Sequence, residues 1–252
     1  MTLEYVPLLQ VQRDLYALPR DRTRFDAYLA TLRDSTTGDL ALPLIDMNPM
    51  GKEHVPALLD EYLAADTDGN AGRAVKTHEP ALAKVPGSFR LCLVISDDLK
   101  GGWTNRYTSE FSHRFEPRAM LKRGWIVGLL WTSEPALPQA AVLEALVSLH
   151  RAAWIGLHGY PRSLRDVLAQ EGWAMNRAGC TEPVLDDEDL AYTRDSIADH
   201  LDATDRATLI ACVFGDAAAT ALGYRPHGLS ERAGLALALA DGRREDVRRG
   251  IA

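Results

Sequence analysis

The chain has 252 residues, of which 46% are hydrophobic and 25% are charged, so it is large enough to bury a core without disulfides or structural metals. Lysine and arginine total 28 against 35 aspartates and glutamates, which gives a formal net charge of −7. This composition excludes a disordered, collagenous or membrane-spanning chain. Because there is no strong basic block, it also argues against nucleic acid as a partner.

The cysteines and the N-terminus predict the compartment. Cys92, Cys180 and Cys212 are far apart and form no C-x-x-C pair, which is typical of a reducing, cytoplasmic location. The N-terminus lacks a basic region followed by an apolar run, so no signal peptide is expected. No segment reaches the roughly 18 uninterrupted apolar residues of a spanning helix. We therefore expect a soluble protein with no membrane partner.

The N-terminal part of the chain alternates between two patterns. Apolar residues at helical spacing predict a helix over 7–32, interrupted at Pro19, and another over 53–65. Between them, the short apolar run 40–47 predicts a strand. The stretch 66–88 is rich in glycine, proline and charge and has no period, which predicts a long loop or a small insertion.

Two further strands are predicted over 89–96 and 124–131, because both runs are short, apolar and nearly continuous. A helix over 104–115 separates them, with Thr104 as its expected N-cap. An additional strand is most plausible within 172–184. The other segments of the C-terminal half are predicted to be helical, and they are 138–157, 162–171, 187–201, 204–222 and 231–249.

This order of elements predicts an α/β fold. Strands that alternate with helices indicate a parallel, or mostly parallel, sheet of at least three strands flanked by helices, followed by a largely helical C-terminal half. We expect residues 1–160 to form the sheet domain that carries the site. Residues 161–252 would pack on the sheet or cap it, and a single domain stays open as the alternative.

Polar residues at the strand ends are the catalytic candidates, because open parallel sheets bind ligands beyond the carboxyl ends of their strands. Asp97 and Asp98 follow the second predicted strand and could act as a general base or as metal ligands. His54 and Glu134 follow the other two strands and are further catalytic candidates. Lys52, beside His54, is a candidate for substrate binding.

The loop after the second predicted strand has the composition of an anion-binding loop. Glycines let a ligand approach the main chain, and the N-terminus of the following helix favours an anion. Lysine and arginine side chains add positive charge. A polar, glycine-rich turn is also an ordinary connection between a strand and a helix. The candidate substrate-binding residues are Lys100, Gly101, Gly102, Trp103, Asn105 and Arg106.

A metal site is the alternative interpretation of this region. Arg106, Glu110 and His113 fall on one helix face, and Glu110-x-x-His113 is the spacing of carboxylate and imidazole ligands in di-iron bundles. No second pair of this kind is present. A surface ion pair between Arg106 and Glu110, with a solvated His113, is therefore favoured. A divalent metal stays possible as a cofactor.

Together these features favour an enzyme that acts on a small anionic metabolite, phosphorylated or carboxylated, by hydrolysis or group transfer. No nicotinamide or flavin fingerprint is present, which disfavours redox chemistry. One alternative is a metal-dependent enzyme that uses Asp97, Asp98, Glu110 and His113. The other is a non-catalytic interaction or ligand-binding protein whose helical half receives the partner.

Overall fold

A computed structural model describes residues 2–82, 85–99 and 104–249. The chain divides into two compact units, Met1–Leu149 and His150–Ala252. The first unit contains the sheet. The second unit, within its described residues, consists of helices and their connections.

The sheet of the first unit has three strands: β1 (Thr2–Tyr5), β2 (Ser88–Ser96) and β3 (Trp125–Trp131). The spatial order is β1-β2-β3, and both pairings are parallel. Every residue of β3 and most residues of β2 are buried, as expected for strands covered by helices on both faces. The predicted α/β fold with a parallel sheet is therefore confirmed.

Helices precede, separate and follow the strands of this sheet along the chain. The predicted interruption near Pro19 separates the first two helices. The bounds in the first unit are α1 (Leu9–Ala17), α2 (Arg22–Leu32), α3 (His54–Ala64), α4 (Thr67–His78), a 3₁₀ turn (Glu79–Leu82), α5 (Arg106–Phe115) and α6 (Arg118–Lys122), and α7 (Pro138–His158) crosses the division.

The first strand is not the one that the sequence predicts. Residues 40–47 form turns with one isolated bridge, between Arg33 and Leu40, and the first strand of the sheet is β1. Pro43 lacks the N–H that a strand would donate, and Ile45 is 50% exposed. A covered strand would bury that side chain, so the run is apolar without being part of the sheet.

The structure of the first unit differs from two further predictions, one for a loop and one for a helix N-cap. The predicted loop 66–88 contains α4, because Thr67, Ala71 and Val75 form a buried helical face despite the glycines between them. Helix α5 is capped by Asn105 rather than by Thr104. The Asn105 side chain accepts a hydrogen bond from the main-chain N–H of Thr108 at 3.1 Å.

Two predictions for the second unit are also wrong. The segment 172–184 contains no strand, because α8 continues through Arg177. The predicted helix 204–222 is broken at Gly215, which has a φ of +86°. The helices of this unit are α8 (Leu164–Arg177), α9 (Asp187–Ala198), α10 (Arg206–Phe214), α11 (Asp216–Ala221) and α12 (Ala233–Arg249).

Among the described residues, α7 is the one helix long and apolar enough to cross a membrane by length and composition. Of its most apolar window, 61% is buried inside the protein. The core helices of globular proteins satisfy the same criterion. Helix α7 also carries Glu144, His150 and Arg151 along its length.

Candidate functional site

Asp97 is the centre of the site at the carboxyl end of β2. It is 3% exposed, and its two carboxylate oxygens lie within hydrogen-bond distance of four groups. His54 Nε2 lies 2.8 Å from Oδ1, and the Thr132 hydroxyl lies 3.0 Å from the same atom. The Asn48 amide donates to Oδ2 at 2.8 Å, and the Leu99 N–H donates to Oδ1 at 3.3 Å.

The loop before α3 holds Asn48 in the orientation that Asp97 requires. The Asn48 Oδ1 atom accepts a hydrogen bond from the Met50 N–H at 3.0 Å, so its amide nitrogen must point to Asp97. The Tyr16 hydroxyl donates to the Asn48 carbonyl oxygen and fixes the main chain at the same residue. The loop is therefore positioned by the side chains of Tyr16 on α1 and Asp97 after β2, rather than by pairing within the sheet.

These contacts keep Asp97 ionised. Burial by itself would raise the pKa of the Asp97 carboxyl group, but hydrogen bonds from His54, Asn48 and Thr132 outweigh it, so the pKa lies below its usual value. A buried carboxylate with this many donors is a hydrogen-bond acceptor only. Such a carboxylate is better suited to hold its neighbours in position than to remove a proton from a substrate.

Asp98 contacts the end of β3 rather than His54. Its Oδ2 atom accepts a hydrogen bond from the Ser133 hydroxyl at 2.6 Å, and its Oδ1 atom accepts one from the Ser133 N–H at 2.9 Å. The Thr132 hydroxyl lies 3.0 Å from Asp97 Oδ1 and 3.1 Å from Asp98 Oδ1, so it connects the two carboxylates. Asp98 thus joins the two strand ends.

Arg106 is surrounded by carboxylates. Its guanidinium group pairs with Glu134, lies 3.5 Å from Glu110 and 3.8 Å from Asp98, and donates to the Ser133 hydroxyl at 2.9 Å. Burial would lower the pKa of Arg106, but the three carboxylates outweigh it and raise the pKa. Because its guanidinium group already pairs with Glu134 and lies close to Asp98 and Glu110, Arg106 is poorly suited to hold an anionic substrate, contrary to the expectation from its sequence position.

The two predicted metal ligands have separate partners. Glu110 forms an ion pair with Arg114 at 2.6 Å, and it also lies 3.5 Å from the Arg106 guanidinium group. His113 Nε2 lies 2.7 Å from Asp46 Oδ2, so it is not the solvated side chain that the sequence suggested. The described residues contain no group of three or more histidine, cysteine, aspartate or glutamate side chains that could hold a metal ion.

The remaining candidates divide into three groups. Lys52 is exposed and lies two residues before His54. Asn105, expected to bind substrate, uses its side chain to cap α5. Four candidates lie outside the described residues, and they are Lys100, Gly101, Gly102 and Trp103.

Several residues of the site have no role in the sequence-based prediction. Asp46 lies near the end of the predicted strand 40–47, and Asn48 and Thr132 directly follow predicted strands, so their position at strand ends is the signal that would have identified them. Tyr16 is a different case, because it lies in the middle of α1 and only the folded chain brings its hydroxyl to Asn48. No local pattern in the sequence marks it.

No protein-family model, curated protein or solved structure matches this chain. The chemistry of the site residues is therefore the basis on which a function can be proposed. The pair formed by His54 and Asp97, two of the predicted catalytic candidates, is the most specific arrangement among them.

Proposed function

We propose that this protein is a hydrolase or group-transfer enzyme in which His54 is the general base and Asp97 orients it. The observation that carries the proposal is the 2.8 Å contact between His54 Nε2 and Asp97 Oδ1, made by a carboxylate that is itself buried and held by other donors. A histidine oriented by a buried aspartate is the arrangement that removes protons from water or hydroxyl groups in many enzymes.

The hydrogen-bond partners of Asp97 assign the tautomer of His54. Asn48 and the main chain of Leu99 can only donate to the carboxylate, which favours its ionised form. The Nε2 atom of His54 therefore carries the hydrogen that Asp97 accepts. The neutral ring then keeps its lone pair on Nδ1, and that atom is the base.

Exposure separates the two members of the pair. The His54 side chain is 29% exposed, whereas the Asp97 side chain is 3% exposed. Solvent and a small substrate can therefore reach the imidazole but not the carboxylate. This difference supports an orienting role for Asp97 and a proton-accepting role for His54.

The charge around the site bears on the substrate. Arg106 is compensated by Asp98, Glu110 and Glu134, so it supports an anionic substrate poorly. Lys52 is exposed and lies two residues before His54 in the chain, and it is the cation that we propose for binding the anion. The anionic metabolite expected from the sequence is therefore proposed with Lys52, rather than Arg106, as its anchor.

The tautomer of His54 can be tested without knowing the substrate. Nitrogen-15 NMR of histidine-labelled protein, with His54→Gln to assign the resonances, should show that the neutral His54 ring carries its hydrogen on Nε2 rather than on Nδ1. In Asp97→Asn the preference for this tautomer should weaken. A ring that carries its hydrogen on Nδ1 in the wild type would contradict the proposal.

Catalysis can be tested with chromogenic 4-nitrophenyl esters of acetate and phosphate. A general base typically contributes about 10²–10⁴-fold to the rate, so His54→Gln should lose about 100-fold or more. His78→Gln is the matched control, because His78 lies on α4 and the hydrogen bonds described for Asp97 come from other residues. Equal rates for wild type and His54→Gln, or no hydrolysis by the wild type, would count against the proposal.

The charge of the substrate is a separate question that Lys52→Gln answers. If Lys52 binds an anion, this change should raise the KM for the phosphate ester and leave the acetate ester unaffected. The same loss with both esters would show that Lys52 has no specific anionic role. Neither result depends on the identity of the natural substrate.

A further inference from the structure

The second unit contains a cavity of about 620 Å³, which is separate from the strand-end site. This volume lies in the range of pockets that bind small molecules. Its walls are the end of α7 and one face each of α8, α9 and α12. The lining residues that matter for binding are Trp154 and His158 from α7, Arg165 and Trp173 from α8, Arg194 from α9 and Asp241 from α12.

Part of the cavity wall is formed where α8 and α12 approach closely. A Cβ atom at Gly172 would overlap the carbonyl group of Ala238, and one at Gly242 would overlap the carbonyl group of Gly172. The two main chains can approach this far only because both positions are glycine. All three residues line the cavity, so this part of its wall carries no long side chain.

Two indole rings provide flat apolar surfaces in the wall. The His150 ring lies edge-on to the Trp173 ring, with 5.6 Å between the two ring centroids. The Arg177 guanidinium group lies 4.8 Å from the centroid of the Trp173 ring. Trp154 contacts His158, with 5.0 Å between ring centroids. These neighbours restrict the rotation of both indoles, which are thereby suited to contact a planar apolar group.

The charged groups of the wall carry an excess of positive charge. Asp241 pairs with Arg194 at 2.5 Å, which compensates one guanidinium group. Arg165 pairs at 3.2 Å with Asp202, which does not line the cavity and whose side chain is 90% exposed. An ion pair this exposed contributes little to stability, so a carboxylate in the cavity can replace Asp202 at low cost.

We infer that this cavity binds a small organic anion with a flat apolar body, such as an aromatic carboxylate. The indoles and aliphatic side chains contact the body of the ligand. Arg165, at the polar side, binds the carboxylate through paired N–H donors. The inference does not depend on the function proposed for His54, because it uses residues of the second unit alone.

Isothermal titration with 1-naphthoate, and with 1-naphthamide as its neutral isostere, tests the charge preference. The wild type should bind 1-naphthoate more tightly. Because the Arg165 side chain is 60% exposed, solvent screens its pairing with the carboxylate, so Arg165→Gln should weaken 1-naphthoate binding by about 2–5-fold and leave 1-naphthamide unchanged. Arg162→Gln, a nearby exposed arginine outside the cavity, should change neither.

Filling the cavity tests its location. Ala198 lines the cavity and is exposed on α9, so Ala198→Trp should abolish binding of both probes, whereas Ala191→Trp, exposed and outside the cavity, should leave it intact. If Ala198→Trp lowers the unfolding temperature, Ala169→Trp on α8 provides the same obstruction. Undiminished binding in a folded obstructed variant, no binding by the wild type, or equal binding of both probes would overturn the inference.

Discussion

The side-chain amide of Gln12 makes both main-chain hydrogen bonds of Ile95 that a neighbouring strand would make. Its Nε2 atom donates to the Ile95 carbonyl oxygen at 3.1 Å, and its Oε1 atom accepts from the Ile95 N–H at 2.9 Å. Strand β1 ends opposite Leu91, so none of the described strands pairs with Ile95 on that side. Gln12 is fully buried, so no solvent replaces these contacts.

Gln12→Leu should lower the free energy of unfolding by about 2–4 kcal/mol, because it leaves a buried N–H and a buried C=O unpaired. Urea denaturation followed by circular dichroism measures the change. Gln10→Leu is the control on the same helix, since Gln10 is exposed, and its effect should stay within about 0.5 kcal/mol. Equal stabilities for the two variants would show that the Ile95 contacts contribute nothing.

Asp97 should make stability depend on pH in the acid range. Its pKa in the folded protein lies below the ordinary value because the donors around it outweigh burial. The stabilisation is therefore fully present above the pKa of the unfolded chain and is lost as pH falls through the folded pKa. The difference in unfolding free energy between wild type and Asp97→Asn should shrink between about pH 5 and pH 2. A constant difference would contradict this assignment.

The ion pair between Arg151 and Glu171 in the second unit is almost fully buried, with side-chain exposures of 5% and 0%. Glu171→Gln should cost about 3–5 kcal/mol, because it leaves a buried guanidinium charge without its carboxylate. Arg151→Met combined with Glu171→Leu should recover much of that loss. Asp202→Asn, which breaks an exposed pair, should cost less than about 1 kcal/mol in the same urea titration.

Gly215 should tolerate no side chain. Its φ of +86° and ψ of −177° lie in a region that only glycine commonly adopts, and an added Cβ would overlap the carbonyl oxygen of Ser230. Gly215→Ala should therefore destabilise by more than about 3 kcal/mol. Gly179 also has a positive φ, but nothing lies within 4 Å of its Cβ position, so Gly179→Ala should cost only about 1–2 kcal/mol. Thermal unfolding of the two variants gives the comparison.

The sequence predicts the central strands and the long helices well, because their apolar patterns are continuous and their side chains are buried. Strands β2 and β3 and helix α7 belong to this group. Strand β1 was missed because it is four residues long and alternates between exposed and half-buried positions. Helix α4 was missed because its glycines and polar residues hide a buried face that depends on tertiary contacts.

The sequence predicts two residues of the site but not the pairing of Arg106. Asp97 and His54 were both candidates as residues that follow strands, and they do meet, although the segment before His54 is not a strand. The sequence could not show that Arg106 is compensated by Asp98 and Glu134, because those contacts span 8 to 28 residues and depend on the fold. The charge of Arg106 next to a glycine-rich turn is therefore weaker support for an anion-binding site than the sequence suggests.

His54, the proposed base, and Asp97, the carboxylate proposed to orient it, are positioned by different kinds of secondary structure. Asp97 directly follows the buried strand β2, whereas His54 begins a helix that is entered through an irregular loop, 43 residues earlier in the sequence. A displacement of that loop would separate the imidazole from its carboxylate while the sheet stayed unchanged. The contact between His54 and Asp97 would then be broken while the protein remained folded. Measurements of global stability would not detect such a local rearrangement.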